Sequence, residues 1–137
     1  MTDSPWQGDA CSLVDEYRAG RRHPKEEMQA TLNAIKASGL NSESFIDTDG
    51  ALQRAAAADT SLPFGGVPLG IKELDPVKGW PDTEASMPFA DRIATKTSIH
   101  VSRITERGGA VAFGLTTASE FGGVNVTRTV LNGATKN

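Results

Sequence analysis

The sequence predicts an α/β fold, and three stretches carry that expectation. Leu62 to Asp75, LPFGGVPLGIKELD, reads as a glycine turn feeding a short strand, because Val67, Leu69 and Ile71 alternate between Gly65-Gly66 and the charged Glu73 and Asp75. Ala110 to Leu115, AVAFGL, is a continuous apolar run of the length of a strand buried on both faces. Between them, Thr97 to Glu106 has helical character, which makes a strand, helix, strand unit. Two such strands in one sheet should lie parallel, joined by a right-handed crossover.

In chain order, a helix starts at or near Asp9, with Ala10, Leu13, Val14 and Tyr17 on one face, and stops at Gly20. Pro24 suits the first position of a second helix, since the N–H it lacks would be unpaired there anyway. Glu26 and Glu27 complement that helix's N-terminus, Met28, Leu32 and Ile35 form its stripe, and Gly39 closes it. Asn41 to Ile46 reads as a small extended piece, and Gly50 to Ala58 as an alanine-rich helix around Leu52. Thr60 to Pro63 breaks that pattern and delivers the chain to the first strand.

The strand ends on Lys72. Alternation sets Leu69 and Ile71 opposite Gly70 and Lys72, so the lysine is expected where Gly70 leaves room. Pro76, Gly79, Pro81 and Pro88 then punctuate a long irregular segment from Asp75 to about Lys96, a length associated with function or with covering something. Thr97 or Ser98 can cap the next helix, whose stripe of Ile99, Val101 and Ile104 is imperfect, and Gly108-Gly109 ends it. After the buried strand, Thr117 and Glu120 have capping-box spacing for a helical turn that stops at Gly122-Gly123. Asn125 to Asn137 is polar and loop-like.

The bulk numbers bound the class. A chain of 137 residues supports one domain, and 38% hydrophobic against 23% charged residues is an ordinary soluble balance. A net charge of -3 offers no basis for binding nucleic acid or an anionic membrane. Cys11 is the only cysteine, so no internal disulfide forms, and a reducing cytoplasm is expected. No stretch approaches the roughly 20 apolar residues of a membrane span, and the N-terminus lacks the pattern of a secretory signal.

Several chemistries are set aside on detail. Gly65 and Gly70 have the outer spacing of a phosphate loop, but Ile71 separates Gly70 from Lys72, no Ser or Thr follows the lysine, and Pro68 removes an N–H. His23 and His100 stand without partners, and Asp75, Asp82, Glu84 and Asp91 lack calcium-loop spacing, so no metal and no cofactor is expected. Cys11 is expected to pack within its helix. Lys72 has two readings. A lysine at a strand end ordinarily reaches solvent, whereas one held in an apolar sheet pocket has its charged form disfavoured and serves as a general base.

The stretch LPFGGVPLGIKELDPVKGWPDTEAS resembles the first block of the amidase signature family, which typically reads GPLxGIPVxVKD before a proline- and threonine-bearing loop. TSIHVSRITERGGAVAFGLTTASEFGG is similar to the same family's helix, buried strand and T-x-x-E-F turn, and the helices between Ala10 and Gly39 match its N-terminal pair. The resemblance implies an amidase-signature fold present in part, with N-terminal helices and the first strands and helices of a mixed central sheet, so that residues 1–137 are the N-terminal portion of a single amidase domain.

It also implies a hydrolase of carbon–nitrogen bonds in small-molecule amides, working through a serine, serine, lysine triad in which Lys72 is the catalytic residue, accepting a proton through a bridging serine. The resemblance leaves a homodimer of the full-length protein open. The family's bridging serine, nucleophile and oxyanion loop lie in a GGSSGG-type block, and the chain reaches Asn137 before one. Ser102 and Ser119 lack that glycine-rich setting, and Glu73 stands where the family usually has Asp. The isolated chain is therefore expected to be inactive and poorly stable. The alternative is a small non-enzymatic α/β binding or scaffold module that uses the proline-rich loop to contact a partner.

Overall fold

The computed structural model describes residues 4–136. Helix α1 spans Ala10–Arg18. The Asp9 carboxylate accepts the Ser12 N–H at 2.7 Å, satisfying one of the donors that a helix start leaves open. The same bond and the Ser12 hydroxyl hold the Asp9 carboxyl below its ordinary range. The helix buries Leu13, Val14 and Tyr17, while Cys11 is exposed, contrary to the packing expected of it. Its position, two residues before Leu13, lies on the solvent face of a short helix.

Helix α2 spans Pro24–Ser38 with Pro24 in its first turn and Gly39 as C-cap, as the sequence predicts. Helix α3 spans Thr48–Ala56 and starts earlier than the alanine pattern suggests, because the Asp47 carboxylate accepts the Gly50 N–H at 3.2 Å. Asp47→Ala is expected to cost about 1 kcal/mol, the usual worth of such a cap, read as a lower urea midpoint at unchanged slope. The Asp47–Arg54 ion pair lost with it is half-exposed and adds little.

Three strands form a mixed sheet: β1 (Glu43–Ile46), β2 (Pro68–Lys72) and β3 (Val111–Thr116). The order is β1-β3-β2, with β3 antiparallel to β1 and parallel to β2. The first five residues of β3 are buried, the central position expected of its unbroken apolar run. Val111 and Phe113 pack with Met28, Leu32, Ala51 and Ala55 of α2 and α3. Ala112 and Leu115 pack on the other side with Ile71, Trp80 and Val101.

Strict alternation would place Leu115 beside Phe113. The β2 register runs from Leu69↔Ala112 to Gly70↔Gly114, so Phe113 is an extra residue in β3. That bulge changes the phase of the strand and turns Leu115 toward Trp80.

The segment from Asp75 to Lys96 is irregular, as expected, apart from a 3₁₀ turn at Met87–Phe89 and an isolated bridge between Pro81 and Ile93. Arg92 ties its two arms together through Asp82 at 3.1 Å and Glu84 at 2.7 Å. The following helix, α4 (Ile99–Ser102), continues as a π-helix over Arg103–Arg107. The stripe is imperfect because Ile99 and Val101, two positions apart, fall on nearly opposite sides of α4: Val101 is buried and Ile99 is 71% exposed. Ser98 holds the N-cap position without a capping bond, and its buried hydroxyl has no partner among the described residues, while Thr97 Oγ1 accepts the Lys78 N–H instead.

Two expectations beyond β3 are corrected. Thr117 and Glu120 form no capping box: Thr117 Oγ1 lies 3.2 Å from the Ser42 carbonyl, to which it donates, and the 3₁₀ turn Glu120–Gly122 starts after Ser119. Residues from Asn125 onward are not all loop, since β4 (Arg128–Thr129) and β5 (Gly133–Ala134) pair as a small antiparallel hairpin. Asn137 lies outside the described residues. Among the described residues no helix is long and apolar enough to cross a membrane.

Candidate active site

Lys72 is the last residue of β2 and pairs in register with Thr116, the last residue of β3. The parallel strands thus end together, and the carboxyl ends of parallel strands are where α/β sheets bind ligands. The sheet sets this up from both sides. Leu69 and Ile71 turn toward Trp80 and Val101, which leaves Gly70 and Lys72 on the face shared with α2 and α3.

The room expected at Gly70 is taken. A Cβ there would stand 2.8 Å from Thr116 Cγ2 and 3.2 Å from Phe113 Cζ, so the glycine admits its neighbours rather than the lysine. Lys72 itself is exposed, not held in an apolar pocket, and among the described residues its ammonium has no hydrogen-bond or ion-pair partner. Gly65 likewise serves close packing: a Cβ there would overlap the Asp59 carbonyl oxygen. Neither glycine forms a phosphate cradle.

Glu73, next to Lys72, points the other way and is 2% exposed. Its backbone N–H donates to the Thr116 carbonyl at 3.0 Å. Its carboxylate accepts the Ala118 N–H at 2.5 Å and the Asn132 side-chain amide at 2.9 Å and 3.2 Å. Four segments therefore meet at the strand ends: β2, β3, the stretch after β3, and the turn of the β4–β5 hairpin. A second link lies nearby in sequence. The Ser86 hydroxyl, 1% exposed, donates to Glu120 Oε1 at 2.6 Å, and the Phe121 N–H donates to the Glu84 carbonyl at 3.0 Å. These bonds fasten the long loop to the segment after β3.

The two serines weighed from the sequence are engaged locally. Ser102 donates to Glu106 at 2.8 Å, one helical turn away, and Ser119 donates to the Val124 carbonyl at 2.6 Å. His100 faces Asp75 at 3.2 Å on the surface, and among the described residues no group of three His, Cys, Asp or Glu side chains is placed to hold a metal. Burial pushes the Tyr17 phenol well above its ordinary range, with the Glu27 charge adding to it, so this hydroxyl stays protonated. It is a packing group, not an acid or base.

Sequence reasoning missed Glu73 as a buried residue, along with Ser86 and Asn132. The available signal was a second charged residue directly after Lys72 at the end of the strand, where a surface position would ordinarily begin.

Residues 26–137 match the family described as Amidase. The chain belongs to the amidase signature family. Among its curated relatives, a component of the glutamyl-tRNA(Gln) amidotransferase of Akkermansia muciniphila is 31% identical over 116 residues, covering 84% of this chain and 24% of that protein. An acylamidase of Rhodococcus erythropolis is 32% identical over 137 residues, covering 93% of this chain and 28% of that protein. The chain thus spans about a quarter of the length of these relatives. In fold it is similar to 6-aminohexanoate cyclic dimer hydrolase, with a TM-score of 0.86 at 24% identity, covering 95% of this chain and 27% of that structure.

Proposed function

We propose that residues 1–137 are the lysine-bearing portion of a single amidase domain that hydrolyses the carbon–nitrogen bond of a small-molecule amide, with Lys72 as general base. The observation that carries this reading is the placement of Lys72. It stands at the joint carboxyl ends of β2 and β3, in a chain of the amidase signature family, exposed and unpaired among the described residues.

In the proposed reaction a serine hydroxyl adds to the amide carbonyl while its proton passes through a bridging serine to the neutral Lys72 amine. The carbon–nitrogen bond breaks, and the leaving amine takes the proton back. Water then adds to the acyl-serine, giving up its proton by the same route, and the carboxylic acid leaves. The tetrahedral oxyanion needs fixed N–H donors, commonly the largest single contribution to such catalysis. Lys72 is the member of this apparatus that these residues supply. The substrate is neither a nucleic acid nor a lipid surface on this reading, and a net charge of -3 with one exposed cysteine suits a cytoplasmic enzyme.

The test is turnover. The 137-residue chain alone is expected to release no amine from simple aliphatic or aromatic amides, and the same residues in frame with a Gly/Ser-rich nucleophile block are expected to do so. Turnover by the chain alone that a serine-directed inhibitor abolishes would overturn the division of labour. A complete domain that folds but shows no amidase activity would favour the binding-module alternative.

A further inference from the structure

We infer that Glu73 is a positioning residue for Lys72, a role that rests on the reading of Lys72 as the base. Glu73 is a carboxylate at 2% exposure with no cation paired to it among the described residues. Burying an ion without a countercharge is costly and persists where its hydrogen bonds are satisfied and the site uses the constraint. Here both carboxylate oxygens are used: Oε1 by the Ala118 N–H and Asn132, Oε2 by Asn132. The partners lie far away in sequence, at 45 and 59 positions' separation. One side chain therefore joins the end of β2 to the stretch leaving β3 and to the turn of the last hairpin.

Two consequences follow for the neighbouring lysine. Glu73 directly follows the last residue of β2, and its N–H still bonds to the Thr116 carbonyl, so anchoring its side chain inward fixes the backbone from which Lys72 leaves the sheet. The anchor also keeps the carboxylate on neutral N–H donors. A Glu73 side chain released from these donors would be free to pair with the adjacent lysine, and an opposite charge alongside favours the charged form of an amine, whereas a general base must present its neutral amine. In the structure Lys72 has no side-chain partner among the described residues, and the carboxylate next to it in sequence is fully occupied elsewhere.

The experiment uses the complete amidase and compares Glu73→Ala, Glu73→Gln, Asn132→Ala and Lys72→Ala, with kcat expressed per acyl-enzyme-titrated active site. Glu73→Ala is expected to lower kcat about 100-fold, the scale of a displacement of about 1 Å at a reacting group, with KM within about twofold. Glu73→Gln keeps an acceptor for the Ala118 N–H and is expected to recover about tenfold of that loss. Asn132→Ala reads the same quantity if Glu73→Ala does not accumulate. A merely structural role would reduce the number of titratable sites and leave kcat per site unchanged, and that result overturns the proposal. Turnover in Lys72→Ala within about tenfold of wild type, against the ~10²-fold or greater loss expected of a missing general base, defeats the reading of the base, and the Glu73 role with it. An inactive Lys72→Ala beside wild-type kcat in Glu73→Ala and Asn132→Ala defeats the Glu73 role alone.

Discussion

Replacing Lys72 by alanine in the complete amidase is expected to lower kcat/KM by ~10²–10⁴-fold, the range contributed by a positioned general base. Stability should hardly move. Lys72 is exposed at a strand end and makes no side-chain bond among the described residues, and such positions change stability by no more than about 0.5 kcal/mol. The informative companion is Lys72→Arg, which keeps the positive charge but cannot give up its proton at any working pH. If Lys72 acts as proton acceptor, the arginine variant is as inactive as the alanine one. If its charge merely attracts the developing oxyanion, arginine retains a large part of the rate, and the assignment as base fails. Initial rates on an aromatic amide, with unfolding curves for both variants, decide between the two.

The largest expected loss of stability comes from Phe113→Ala. The ring is 7% exposed, packs against Met28, Leu32, Ala51 and Ala55, and also fills the space that Gly70 leaves. Truncating a buried phenylalanine costs about 3–5 kcal/mol, a large share of the roughly 5–15 kcal/mol that holds an ordinary domain together. The loss exceeds that at an exposed apolar site such as Ile93, 53% exposed, where alanine should change little. Urea unfolding of the two variants in the complete domain measures the difference. In the 137-residue chain, Phe113→Ala is expected to remove the cooperative transition altogether. The outer edge of β2 is unpaired there among the described residues, and a core with fewer neighbours has less to lose.

Much of the architecture was legible because its signals are local. Pro24 at a helix start and Gly39 at its end bracket α2 within one residue, and Asp9 caps α1 where a capping acid is expected. The unbroken run from Ala110 to Leu115 announced a central strand, and the helical stretch before it announced a partner lying parallel. Lys72 could be placed at a strand end because alternation and the following acids mark where the strand stops. The bonds of the adjacent Glu73 side chain could not be placed, since they reach 45 and 59 positions along the chain.

Where local rules failed, a distant contact had taken over the group. Thr117 has the spacing of a cap but spends its hydroxyl on Ser42 and Thr135, and Glu120 is drawn to Ser86. The hairpin of β4 and β5 carries no apolar alternation in its two-residue strands, so periodicity had nothing to report. Cys11 fell on the solvent side of a helix whose facing direction is set by what it packs against.

By itself, the sequence determined the class of the fold, the main helices, the buried strand and the family, all of which depend on residue types at fixed short spacings. Tertiary structure alone decided the bulge at Phe113, the filling of the space at Gly70, and the inward anchoring of Glu73. Those features depend on which surfaces meet across more than 40 residues, as between Gly70 and Phe113 or Glu73 and Ala118. Spacing along a chain carries no information about such a meeting until the sheet has brought the segments together.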